Sequence, residues 1–422
     1  MNRRKFLARS LAATGGLPLA SAPWTAFAAD APTLSSTPSS ASISALTPTP
    51  APASAPTAQK LLILVYLKGG NDAYNTFVPH NDARYKKLRP NIALPPEGLI
   101  HVSDSHGFHP ALAALIPAWE AKQVALVQGI GQQEITNQHY RDLEMQFTGA
   151  SPDQYLDQGW LTRALLKNPQ PASIPKSALD AIAFDDLDIR EADPMGPFRG
   201  QKLRVVQMQH PSEWLANRTV IGTKHTSTPD AITSGAAKSF LQADIAPLKT
   251  NFPPDAFGDA LKSAVQLASQ GMAPPVIHIT LNALDGDQHN AFDTHWTQLK
   301  YHGAVLARLA NGLAALREGM IEIGKWNDTL VATYDEFGRS PKENIDNGTH
   351  HGWASVQFVM GGRVKGGLHG EALPVVDVFS IDGPPPVIDY RQLYTTIIES
   401  WWGGSAAGVF DRRFKTLDLL TT

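Results

Sequence analysis

The chain of 422 residues contains no cysteine. That absence excludes a disulfide framework, a zinc finger, a thiolate metal site and a cysteine nucleophile. No apolar run reaches the ~20 residues that a membrane-spanning helix needs. Charge is sparse, at 18% against roughly 25% in an average globular domain. Basic and acidic residues nearly balance, 36 Lys+Arg to 39 Asp+Glu, without basic runs, so nucleic acid is not the expected partner. A G-x-S-x-G elbow, an H-E-x-x-H helix and a G-x-G-x-x-G nucleotide loop are all missing, and with them the chemistry each supports. No repeat of solenoid or propeller period is present. What remains is a chain 43% hydrophobic, long enough to bury a large core.

The first residues read as an export signal. MNRRK is followed by Phe6-Leu7, a weakly apolar stretch holding Gly15-Gly16, and Ala26-Phe27-Ala28. A twin arginine, a short apolar region and an A-x-A site predict a Tat signal over 1–28, cleaved before Ala29. Arg9 and the glycines break the run, which argues against stable membrane insertion. Loss of Arg3, Arg4, Lys5 and Arg9 leaves 32 positive against 39 negative charges. The expected location is the periplasm or beyond, with the Tat translocase as a partner during export. Residues 29–58 are 8 Ala, 7 Ser, 6 Pro and 5 Thr, with only Leu34, Ile43 and Leu46 large and apolar. Such a segment cannot bury enough surface to order itself and reads as a disordered linker.

Composition changes at Gln59-Lys60, and 59–422 reads as one α/β domain in which strands and helices alternate. Strands are predicted at Leu61–Leu67, Val124–Gln128, Val276–Leu281, Leu330–Tyr334 and Val356–Met360, each a short apolar run. His109–Lys122 and Trp296–Ile323 read as helices. Gly361-Gly362 and Gly366-Gly367 predict a hairpin, and Trp401-Trp402 reads as core or cover for the sheet. Residues 150–275, with weaker periodicity, are expected to form an insertion or cap.

Polar residues gather where the strands end, the place at which open α/β sheets bind ligands. The first strand leads to Lys68-Gly69-Gly70-Asn71-Asp72 and the second to Thr136-Asn137-Gln138-His139-Tyr140-Arg141. VIHITL is followed by Asp285, Asp287, His289, Asp293 and His295, and LVATY by Asp335-Glu336-Phe337-Gly338-Arg339. His350-His351-Gly352 precedes VQFVM. In a cysteine-free protein, Asp, Glu and His are the ligand set for Zn²⁺, Mn²⁺ or Mg²⁺. Singly, most of these residues have bland readings. Asp72 suits a turn, Asp293 suits a cap on the long helix, and His139 and Arg141 suit a helix surface. The adjacent imidazoles of His350 and His351 have no evident packing role.

The ordered set of Tat leader, strand-KGGND, V-x-G-I-G…HY…TG, FDTH, YDEFGR and HHGW…VMGG resembles an uncharacterised Tat-exported bacterial family of the alkaline phosphatase and sulfatase superfamily. The likeness runs from the leader to about residue 370. It implies an alkaline-phosphatase-like three-layer α/β/α sandwich with a largely parallel central sheet. It also implies a one- or two-metal site at the strand ends, with Ser, Thr or formylglycine attacking phosphorus or sulfur. Carried over residue by residue, Asp72, Asp293, His295, Glu336 and His351 are the implied metal ligands.

Two departures bear on the chemistry. Gln138-His139-Tyr140 stands where the family shows Ser-His-Phe, and an amide cannot form a covalent phospho- or sulfo-enzyme. His350-His351-Gly352 stands where it shows Asp-His-Gly, and an imidazole in place of a carboxylate favours Zn²⁺ over Mg²⁺. The expectation is an exported metal-dependent hydrolase of a small phosphate or sulfate ester, in which water attacks directly. Glu336 or His350 would be the base, Arg141 and Lys68 would meet developing negative charge, and Thr136 is the one nearby hydroxyl. Thr136, His139, Arg141 and His350 are thus the catalytic candidates. The divalent ion is expected to be zinc, with manganese or magnesium as alternatives. The competing reading is a non-catalytic exported protein that keeps the fold and a structural metal.

Overall fold

The structure, a computed structural model, describes residues 59–133, 135–168, 179–184, 196–200, 202–208, 247–283, 291–378 and 383–421. The leader, the linker and Asp285, Asp287 and His289 therefore lie outside the described residues. Among the described residues no helix is long and apolar enough to cross a membrane.

The fold is a mixed α/β sandwich around a nine-stranded, mostly parallel sheet. Its centre is β1 (Leu61–Leu67), every residue of which is buried, as a strand covered on both faces must be. Alternate side chains go to opposite faces. Leu61, Ile63, Val65 and Leu67 enter one core, and Leu62, Leu64 and Tyr66 the other. The other strands of the sheet are β5 (Val124–Gly131), β6 (Ala181–Phe184), β7 (Val205–Met208), β8 (Val276–Leu281), β9 (Thr329–Tyr334), β12 (Ala354–Gly361), β13 (Gly367–Gly370) and β14 (Ile388–Asp389). They lie in the order β13-β5-β12-β9-β1-β8-β6-β7, with β14 also on β5. Only β12 runs against its neighbours, β5 and β9.

The first core is closed by α6 (Ala256–Ser269), α7 (Gln298–Glu322) and the 3-10 turn Pro110–Leu115. The second is closed by α4 (His139–Thr148), α5 (Trp160–Lys167) and α8 (Tyr390–Thr396), with Trp401 in its interior. These two helical layers and the sheet between them make the three-layer α/β/α sandwich anticipated from sequence. Outside it stand a small sheet, β2 (Phe77–Val78), β3 (Ile100–His101) and β4 (Gly107–Phe108), and a ribbon, β10 (Gly338–Glu343) with β11 (Thr349–Gly352).

Two details differ from the sequence reading, and a third bears on it. The glycine pairs at 361–367 do not close a hairpin: β12 and β13 flank β5 on opposite sides. The helix expected over 109–122 is a 3-10 turn followed by the short α3 (Ile116–Glu120), because Pro117 in its interior removes a backbone donor that a helix would use, whereas Pro110 at the first position does not. The described parts of 150–275 include β6 and β7, which extend the main sheet at its edge.

Candidate metal centre

The site is assembled at the carboxyl ends of β1, β5, β8 and β9. After β1 the chain turns through Gly69 and Gly70, at φ 106° and 85°, a region open to glycine. A Cβ on Gly69 would stand 2.3 Å from the Asp293 nitrogen, so its absence lets the segment after β8 lie against the strand end. Phe292 N–H donates to the Lys68 carbonyl there (2.8 Å). Beyond β5, Asn137 takes a left-handed conformation, φ 61°, and α4 begins at His139. The β10–β11 ribbon pairs Arg339 with His351. The long helix α7 is entered through Thr297, also left-handed at φ 49°, so Asp293 does not serve as its cap.

Four side chains converge: His139, Asp293, His295 and His351, each offering one ligand atom within 4.8 Å of the others. His295 Nε2 lies 3.0 Å from His351 Nε2 and 3.1 Å from Asp293 Oδ1. His139 Nε2 lies 3.5 Å from the same oxygen. A tetrahedral ion with bonds near 2.05 Å holds its ligand atoms about 3.3 Å apart, close to these three spacings, within a group whose ligand atoms all lie within 4.8 Å of one another. Three imidazoles and a carboxylate suit zinc and neighbouring transition ions better than magnesium, which takes oxygen ligands.

For two of the three rings the far nitrogen decides which way the ring faces. His139 Nδ1 lies 2.7 Å from Glu336 Oε1, and His351 Nδ1 lies 3.3 Å from the Asn137 carbonyl. Carboxylates and carbonyls only accept, so both Nδ1 atoms carry a proton and both Nε2 atoms face the centre. The Phe337 ring stacks on His351, at 4.0 Å and 25°, and tilts against His139 at 4.8 Å. Arg339, its side chain fully buried, donates to Asp293 Oδ1 at 2.5 Å and to the carbonyls of Gly69, Gly70 and Thr349.

The charges follow from these contacts. Burial and the positive charges of Arg339 and His139 push His351 down to about 2, so it stays neutral. Burial works against a charge on His139, but its hydrogen bonds to Asp293 and Glu336 outweigh it and lift the ring to about 9. For Asp293, burial is likewise overcome by hydrogen bonds from His139 and His295 and by Arg339, which hold its carboxyl far below the usual range. His139 is thus an imidazolium between two carboxylates, and an ion bound here would have to displace its Nε2 proton.

The other candidates are placed elsewhere. Asp72 is fully buried and ion-paired with Arg89 at 2.6 Å. It caps α1 (Ala73–Thr76) through Tyr74 N–H at 2.9 Å and accepts from Gln298 Nε2, so its oxygens face this network and it is not among the four converging groups. Glu336, 1% exposed, is also not among the four. It stands behind His139 and accepts from Tyr66 Oη at 3.1 Å and from Gly69 N–H. The Thr136 hydroxyl and N–H both donate to Asp142 Oδ1. Arg141 bonds Glu144 and the carbonyls of Ser151, Pro152 and Gln154, beneath the Tyr155 ring. His350 is exposed, its ring 6.2 Å from that of His295. Sequence reasoning gave no role to Tyr66, Phe337, Asn137 or Arg89. Phe337 and Arg339 carried a signal only through their places in the YDEFGR run.

Comparison with known proteins adds a partial family match. The model described as protein of unknown function DUF1501 matches residues 223–397, a span that contains Asp293, His295 and His351 but not His139. No curated protein matches. Among solved structures, the chain is similar to the lipoteichoic acid synthase LtaP from Listeria monocytogenes. Identity there is 11%, over 83% of this chain and 74% of that one, with a TM-score of 0.39. It is also similar to a protein in the alkaline phosphatase superfamily from Vibrio parahaemolyticus (11%, covering 82% and 67%, TM-score 0.37). A third is the PsFucS1 sulfatase from Pseudoalteromonas sp. (9%, covering 86% and 71%, TM-score 0.39).

Proposed function

We propose that this protein is an exported, zinc-dependent hydrolase of phosphate or sulfate esters in which water, not a side chain, attacks. The observation that carries the reading is the convergence of His139, His295, His351 and Asp293 at strand ends, with one ligand atom from each within 4.8 Å of the others and the His295–His351, His295–Asp293 and His139–Asp293 spacings at 3.0, 3.1 and 3.5 Å. A bound zinc ion would polarise the ester oxygen and make water acidic enough to attack near neutral pH. His139 and His351 present Nε2 because Glu336 and the Asn137 carbonyl hold their other nitrogens. Arg339 keeps Asp293 ionised and in place. Gln138, at the N-cap of α4, supplies no nucleophile, and the Thr136 hydroxyl is engaged by Asp142. Glu336 is committed to His139, Tyr66 and Gly69. His350, exposed with its ring 6.2 Å from that of His295, is the base that takes the proton of the attacking water.

One observation favours a second reading. Four protein donors fill a tetrahedral shell, as structural zinc sites do. A non-catalytic protein with a structural ion therefore has support unless Asp293, shared with Arg339, yields its place. Both are tested by elemental analysis of the exported protein, wild type and Asp293→Ala/His295→Ala, with an ester panel assayed in parallel. About one equivalent of zinc together with turnover, both lost in the variant, is the expected result. Zinc without turnover selects the structural reading, and a folded wild type without metal overturns both.

A further inference from the structure

Glu336 reaches the centre only through His139, and what holds Glu336 lies one layer deeper. Tyr66, on the central strand, is 1% exposed and its Oη donates to Glu336 Oε2 at 3.1 Å. Oε1 of the same carboxylate takes His139 Nδ1 at 2.7 Å. Gly69 N–H reaches both oxygens, at 3.1 and 3.2 Å. The phenol is itself clamped. It stacks on Tyr334 at 5.1 Å and 26°, and meets Phe147 edge-on at 6.3 Å. Burial and the Glu336 charge keep its proton on, so the hydroxyl can only be the donor in this bond.

We infer that Tyr66 is a positioning residue for the metal centre, its hydroxyl fixing the Glu336 carboxylate and that carboxylate fixing the His139 ring with Nε2 toward the ion. The inference rests on the metal reading above and extends it to a residue that does not touch the ion. Without the hydroxyl, Oε2 is left with the shared Gly69 N–H alone, and the carboxylate can turn about its terminal bond. The His139 ring then loses the fixed acceptor that orients it. Partners of this kind typically change metal affinity by about 10- to 100-fold.

Tyr334 provides an internal control. It is packed face to face with Tyr66 and is equally buried, but its hydroxyl bonds His278 Nε2 at 2.8 Å, not Glu336. A loss of core packing or of a buried hydroxyl affects both tyrosines alike, whereas the positioning role belongs to Tyr66. The experiment is a Co²⁺ and Zn²⁺ titration of the full chain against a competing chelator, with the visible Co²⁺ bands recorded. The proteins compared are wild type, Tyr66→Phe, Tyr334→Phe, Glu336→Gln and the Tyr66→Phe/Glu336→Gln double variant. Tyr66→Phe should bind about 10-fold more weakly with shifted bands, Tyr334→Phe should match wild type, and the double variant should be no weaker than Glu336→Gln. Wild-type affinity in Tyr66→Phe overturns the inference, as does full additivity in the double variant, or equal losses in both tyrosine variants. A wild type that takes up neither ion removes the metal reading itself, an outcome distinct from a wild type that binds while Tyr66→Phe binds equally well.

Discussion

Replacing Asp72 by Asn separates a ligand from a buried counter-ion. Asp72 and Arg89 are both at 0% side-chain exposure, 2.6 Å apart. Burial works to raise the Asp72 pKa, but the Arg89 charge and hydrogen bonds hold it below the usual range. In Asp72→Asn the guanidinium keeps its contacts with the carbonyls of Ser340 and Pro341 but loses its buried counter-charge. The new amide also turns an NH₂ toward a donor, either Arg89 or Gln298. Removing one partner of such a pair costs about 3–5 kcal/mol. At an unfolding entropy of ~2.1 cal/mol/K per residue over the roughly 290 described residues, Tm falls by about 5–8 °C. Metal content should not change, since Asp72 is not among the four converging donors. Arg89→Met should be as damaging, and Asp72→Asn/Arg89→Met milder than either, because no charge is then left unpaired. Calorimetry and elemental analysis on the same samples decide the matter. Loss of the ion at unchanged Tm would refute this reasoning and make Asp72 a ligand after all.

Two further outcomes follow from the same geometry. In chelator, the fold should weaken as pH rises from 6 to 9. His139 has a folded pKa of about 9 against an ordinary 6.5, so its contribution is complete below about 6.5 and is lost as pH passes 9. Asp335, pushed up to about 8 chiefly by burial, acts in the same direction between about 4 and 8. His139→Gln should flatten the upper part of a Tm–pH curve and Asp335→Asn the lower; a wild-type curve that rises toward pH 9 contradicts both assignments. Gly69→Ala should remove the ion while leaving most of the fold, because its methyl would meet Asp293 N at 2.3 Å in a backbone region unfavourable to alanine. Full metal occupancy in that variant would show that the segment after β8 can shift without cost.

The sheet was legible in the sequence where strands are long and doubly buried. β1 and β8 match the predicted Leu61–Leu67 and Val276–Leu281 residue for residue, because an uninterrupted apolar run bounded by glycine or polar residues leaves little choice. β10 and β11 were not read from sequence, nor were β2 to β4. Strands of two to six residues, largely paired outside the main sheet, carry no period to detect. In the site, the strand-end rule pointed to Asp293, His295 and His351, and it placed His139 nearby in another role. It could not see that Glu336 is separated from the centre by a whole imidazole ring, a matter of side-chain direction and not of order along the chain. Nor could it see Arg89. A basic residue at the end of the short α2 (Ala83–Leu88) looks solvated until the fold carries it onto Asp72.

The four converging side chains come from residue 139, from 293–295 and from 351, so the His295–His351 contact alone closes 56 residues and the His139–Glu336 bond 197. No unfolded chain brings these groups together, and an ion held by them has almost no affinity for anything short of the finished fold. Were the proposed centre to bind an ion, its occupancy would be a certificate of completion. A chain with a slipped β9, an undocked α4 or a ribbon that has not closed would retain every ligand residue and still fail to hold the ion, so an assay of bound metal would sort correctly folded molecules from the rest.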